Sequence, residues 1–127
     1  MKGYGNAAII ASNLIAGQTS LPPRNAWNLA VAREFEKDSL RDKDCPRATF
    51  LALCQAGRVK AVPSGDYTRS QKNATYALEA VELLRADRRL SNTPKALWNA
   101  VMKSRNVRHN SQMDVVTALW NANLIVE

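Results

Sequence analysis

The sequence predicts an all-α fold: six helices as two pseudo-symmetric three-helix repeats in one compact domain, with at most a short β-bridge. Three observations predict it. The chain aligns with itself, since Pro23-Arg24-Asn25-Ala26-Trp27-Asn28 recurs as Pro94-Lys95-Ala96-Leu97-Trp98-Asn99 with proline, basic residue, Trp and Asn in register. Apolar residues recur at three- and four-residue spacing, which is the helical period. Proline and Gly or Asn punctuate the starts and ends of those segments, where each is best tolerated. Self-similarity of this kind is the mark of a duplicated architecture. Repeat one covers about 4–60, a connector 61–71, and repeat two about 72–126, all within a single domain 1–127.

Helix one spans about Gly5 to Ala16, with Ala8, Ala11, Leu14 and Ile15 on one face and Gly17 as its stop. Helix two opens at Pro22-Pro23, because a first-turn proline loses no intrahelical hydrogen bond. It carries Ala26, Trp27, Ala30, Val31 and Phe35 inward, then runs out in the mixed-charge stretch Glu36–Asp44. Helix three begins at Asp44 or Cys45 with Pro46 in its first turn and ends at Gly57. Gly57 aligns with Asn123, and these are the two residue types that best accept the left-handed backbone just past a helix. Val59 and Val62, followed by Pro63-Ser64-Gly65-Asp66, predict an extended segment and a turn, with a bridge to Ile125-Val126. Helix four covers about Lys72 to Ala86, with Ala77, Ala80, Val81 and Leu84 inward. Helix five starts behind Thr93-Pro94 and ends near Ser104. Helix six starts at Ser111, where Asp114 three residues on predicts a capping box, and buries Val115, Val116, Leu119 and Trp120.

Composition excludes several classes of function. Two cysteines, Cys45 and Cys54, and one histidine, His109, fall short of a disulfide scaffold or a four-ligand zinc site. The thiols read as reduced side chains of a cytosolic protein. Asn6, Ser12 and Asn13 interrupt the apolar run after Lys2, so that run reads as a helix rather than a secretion signal, and no membrane association is expected. No paired-carboxylate constellation, Gly-rich phosphate loop, nucleophile elbow or metal spacing is present, so an enzyme is the least favoured class and no cofactor is called for.

The net charge of +7 is unevenly spread. Residues 85–108 carry seven basic side chains against Asp87 alone, and residues 58–72 carry four against Asp66. Residues 33–47 balance five of each sign. Such a surplus favours acidic partners, nucleic acid first, with solubility as the plain alternative. A nucleic-acid reading places Arg108, Asn110 and Gln112 at the start of helix six as the recognising groups. Arg105, Arg88, Arg89, Lys95 and Lys103 then contact backbone phosphates. The alternative for this stretch is a solvated loop ahead of a capped helix.

Trp27 and Trp98 allow two readings as well: a pair of stacking platforms, or core anchors with locally bonded N–H groups, which duplication favours. Cys45 sits at a helix N-terminus beside Arg47, an environment that lowers a thiol pKa. With His109 in the corresponding turn of the other repeat, a Cys45–His109 pair across a groove defines a thiol-dependent or ligand-binding alternative. The plainer reading of Cys45 is a small residue at a helix start.

The stretches Cys45–Thr68, Asn73–Leu84 and His109–Ile125 resemble an uncharacterised family of small bacterial proteins, known as a domain of unknown function. The likeness runs from Tyr4 to Ile125. It implies a small bacterial accessory protein with no transferable catalytic activity, and it points to a mobile or environmental gene such as an integron cassette. The function expected is therefore a non-enzymatic binding or interaction module. Its partner is an unidentified protein or a nucleic acid, and it acts as a monomer (its own pseudo-dimer) or a homodimer. Leu124-Ile125-Val126 becomes an association surface if it is left uncovered.

Overall fold

The computed structural model describes residues 3–126. Among them run α1 (Tyr4–Gly17), α2 (Pro23–Glu34), α3 (Asp38–Arg41), α4 (Asp44–Gln55), α5 (Gln71–Ala86), a 3₁₀ helix (Arg88–Asn92), α6 (Pro94–Met102) and α7 (Gln112–Asn121). The six longer helices are the six expected from periodicity. The single turn α3 lies in the mixed-charge stretch expected to be irregular, and its hydrogen bonds are held by Lys37 and Asp38 carbonyls rather than by a buried face. The 3₁₀ helix was also not foreseen. Its start is held by the Asp87 side chain, which accepts the Arg89 N–H.

α7 lies at the centre, packed on α1, α4, α5, α6 and the 3₁₀ helix, and Met113, Val115, Val116 and Leu119 on it are wholly buried. α1 joins through a stripe of Ala7, Ala8, Ala11 and Ile15, whose small side chains let the helices approach closely. Gly5 is the extreme case: a Cβ there would stand 2.7 Å from the Asp114 carbonyl oxygen and from the Ala118 Cβ. One buried cluster draws on both halves of the chain, from Tyr4 to Ile125.

The ends of α4 and α7 match bond for bond. Gly57 and Asn123 have φ of 72° and 60°. The Arg58 N–H donates to Leu53 O at 2.9 Å and the Leu124 N–H to Leu119 O at 2.9 Å, the six-residue closure of a Schellman end. The two chains then pair antiparallel, Val59 opposite Ile125, with the Lys60 N–H on Leu124 O and the Val126 N–H on Arg58 O, both at 2.8 Å. Ile125 is thereby buried and Leu124 half-buried, so of the C-terminal apolar run Val126 alone is exposed.

Trp27 and Trp98 are both core residues. Trp27 stacks on Phe50 with ring centres 5.4 Å apart, and Trp98 meets Tyr76 edge-on at 5.3 Å. Only Trp98 has the local bond expected of it, donating from Nε1 to Val107 O at 3.0 Å. The Trp27 N–H is buried without an acceptor among the described residues. Neither ring face is free for stacking a base.

Candidate functional site

The approach to α7, which reads in the sequence as the most polar and cationic approach to any helix, folds largely onto itself. His109 Nε2 accepts the Met113 N–H at 3.1 Å, and its ring packs on Trp98 with centres 5.1 Å apart. His109 therefore caps α7. The expected Ser111–Asp114 box is absent, since Ser111 sits in the left-handed region at φ 66° and its side chain caps nothing. Burial holds the imidazole below its ordinary pKa, opposed by the Asp114 carboxylate and reinforced by the Lys43 ammonium. Gln112 is 2% exposed: its carbonyl accepts the Asn110 N–H at 2.5 Å and its amide donates to Asn73 Oδ1 at 3.4 Å. It presents nothing to a base edge.

Arg105 is tied down as well. It reaches Glu79 at 2.5 Å and the Val101 carbonyl that ends α6, and its guanidinium lies over the Tyr76 ring. Arg89 grips Asp87, which holds that carboxyl below its usual range, and Arg88 lies over Trp120 at 5.8 Å. Arg58 and Arg85 share Glu82. By contrast, Lys95, Lys103 and Arg108 are exposed and have no carboxylate partner among the described residues. The basic run thus divides into structural arginines and solvent-facing cations.

Cys45 is half-buried in the first turn of α4, where its carbonyl accepts the Thr49 hydroxyl at 2.8 Å. No hydrogen bond joins it to His109 among the described residues, whose imidazole nitrogen is already engaged on α7. Cys54 is wholly buried, and burial pushes its thiol pKa far up. No group of three metal-ligating side chains is gathered among the described residues, and no helix there is long and apolar enough to cross a membrane.

Three arginines converge on a concavity elsewhere. A cleft of about 430 Å³ is lined by Arg24, Arg47 and Arg69, with Asp44, Thr68, Ser70 and Asn73 among its other walls. A second hollow of about 380 Å³ shares Arg24, Thr68 and Arg69 and adds Asp66 and Tyr67. Arg24 is in the first turn of α2, Arg47 in the first turn of α4, and Arg69 stands just ahead of Ser70, the N-cap of α5. None of these three helix starts has a side-chain cap. The connector is held against α4 by Gln55, whose Oε1 accepts the Tyr67 and Thr68 N–H groups at 2.8 and 3.0 Å. Arg47 is largely covered, with its side chain 19% exposed, and pairs with Asp44, which is 82% exposed. The arginines of this cleft are far apart in the chain, so no run of charge marks it in the sequence. A signal was present all the same: Pro23-Arg24 and Pro46-Arg47 each set a cation into a proline-started first turn.

A family model described as a family of unknown function, DUF6979, matches residues 1–126. No curated protein and no solved structure matches the chain.

Proposed function

The chain belongs to DUF6979, a family to which no function is assigned, and from that premise we propose that it is a non-enzymatic binding module for an anionic partner, nucleic acid being the first class to test. One observation carries the reading. The acidic side chains Asp38, Asp44, Glu79, Glu82 and Asp87 are taken up in ion pairs. Arg24, Arg69, Lys72, Lys95, Lys103 and Arg108 are left exposed without a carboxylate partner among the described residues, and they outnumber the exposed carboxylates Glu36, Asp42 and Asp66 that have no cation partner there. An uncompensated cationic surface attracts polyanions and gains affinity by releasing their counterions. The unpaired thiols Cys45 and Cys54 suit a reducing compartment.

Fluorescence polarisation with mixed-sequence DNA and RNA probes tests this reading. Salt-sensitive binding supports it. An absence of binding at low salt leaves the +7 as a solubility feature and overturns it.

A further inference from the structure

We propose that the cleft between the first turns of α2, α4 and α5 is a specific site for a phosphomonoester group. The organic part of the ligand then extends along Tyr67 and Asp66. The inference rests on the anionic-partner reading and gives it a definite address.

Four features converge there. Helix N-termini carry partial positive charge, so a cation in the first turn is locally unfavourable. Even so, Arg24 stands in the first turn of α2 and Lys72 in that of α5, with no acidic residue in either turn. At these two helix starts like charge stands on like charge, whereas at the third, that of α4, Asp44 already offsets Arg47; an anion seated in the cleft balances the surplus. Second, the Arg47 guanidinium is mostly covered, yet the carboxylate it pairs with, Asp44, faces solvent. Arg47 lines the same cleft as Arg24 and Arg69. Third, guanidinium forks match phosphate oxygens two at a time, and the Ser70 and Thr68 hydroxyls add neutral donors on the same wall. Three guanidiniums against one carboxylate favour a doubly charged group over a singly charged one.

The fourth feature selects the monoester. The adjoining hollow contains the Asp66 carboxylate beside the Tyr67 ring, whose hydroxyl is anchored on Pro63 O at 2.7 Å. A second phosphate there meets Asp66 and is repelled. A sugar or similar polar body donates hydroxyls to Asp66 and lies against the ring. A terminal phosphate on a small molecule and a 5′-phosphate on a nucleic-acid strand share this chemistry.

The test is an amide NMR titration of the full chain at constant ionic strength. The probes are inorganic phosphate, glucose 6-phosphate, and a short DNA strand with and without a 5′-phosphate. The expected result is saturable shifts confined to Arg24, Arg47 and residues 68–73, weakened about tenfold or more in Arg24→Ala/Arg69→Ala. Both of those side chains are exposed, so the variant keeps the wild-type melting temperature. Arg24→Lys/Arg69→Lys, which keeps the charge and loses the forks, falls between the two. Tighter binding of glucose 6-phosphate identifies a small-molecule site, and a preference for the 5′-phosphorylated strand identifies a strand-end site. Shifts spread over Lys95, Lys103 and Arg108, or a double variant that titrates like wild type, overturn the proposal. If the unphosphorylated strand still binds in that case, the site is lost while the anionic-partner reading stands. If no probe binds, both fall.

Discussion

His109 Nε2 accepts the Met113 N–H at 3.1 Å, which makes the chain's only imidazole the cap of its central helix. The arrangement requires an unprotonated acceptor nitrogen. Because burial lowers the His109 pKa, the folded chain favours the neutral ring more than the unfolded chain does. That contribution is complete above the ordinary pKa of about 6.5 and is withdrawn as pH falls through the lowered value. Thermal unfolding followed from pH 7.5 to 5 is expected to show a loss of stability in wild type that His109→Gln lacks. At pH 7.5 the variant is expected to be less stable by about 1 kcal/mol, the usual worth of a cap. Parallel pH profiles for the two proteins contradict this role.

Gly5 and Gly17 occupy opposite situations on the same helix. A Cβ at Gly5 runs into the Asp114 backbone, whereas at Gly17 it meets nothing within 4 Å. Gly5→Ala is expected to cost about 1–3 kcal/mol through forced separation of α1 and α7. Gly17→Ala is expected to stabilise by about 0.5 kcal/mol through reduced backbone freedom. Urea unfolding of both variants measures the difference, and equal effects would refute the close helix contact.

The left-handed residues after α4 and α7 give a second opposed pair. Gly57→Ala introduces a Cβ at φ 72° and is expected to destabilise by about 1–2 kcal/mol. Asn123→Gly relieves the same conformation at φ 60° and is expected to change stability by only a few tenths of a kcal/mol, about the noise of a denaturant titration. A neutral Gly57→Ala would remove the structural reason for aligning these two positions.

Arg105 and Arg108 are three residues apart and do different things. Arg105→Ala breaks the Glu79 contact and uncovers the Val101 carbonyl, so a loss of about 1 kcal/mol is expected. Arg108 has no such partner among the described residues, and Arg108→Ala is expected to leave the melting temperature unchanged. Differential scanning calorimetry separates them. An equal drop in both variants would place Arg108 in a structural role.

Periodicity and punctuation made the fold legible. Pro23, Pro46 and Pro94 each stand in a first helical turn, and Gly57 and Asn123 each follow a helix end. The ends of α4 and α7 carry the same backbone hydrogen bonds and are joined through Val59 and Ile125. α3 and the 3₁₀ helix were not legible, because each is held by local carbonyl and carboxylate contacts rather than by an apolar stripe.

The site was less legible, for a physical reason. Charge density along the chain counts cations without knowing their partners. It ranked Arg105 and Arg89 beside Lys103 and Arg108, although Glu79 and Asp87 had already claimed the first two. Gln112 looked exposed at a polar helix start and is instead buried by its bond to Asn73. The Arg24–Arg47–Arg69 cleft needs α2, α4 and the connector in place before its residues become neighbours.

The central claim is that cations without carboxylate partners bind an anion. The most direct measurement is the salt dependence of DNA affinity between about 50 and 200 mM. Wild type is compared with Lys95→Ala/Lys103→Ala/Arg108→Ala and with Arg24→Ala/Arg69→Ala. A steep slope is expected in wild type, falling by about one for each phosphate-contacting residue removed. No binding at about 50 mM, or a slope that both variants leave unchanged, would contradict it.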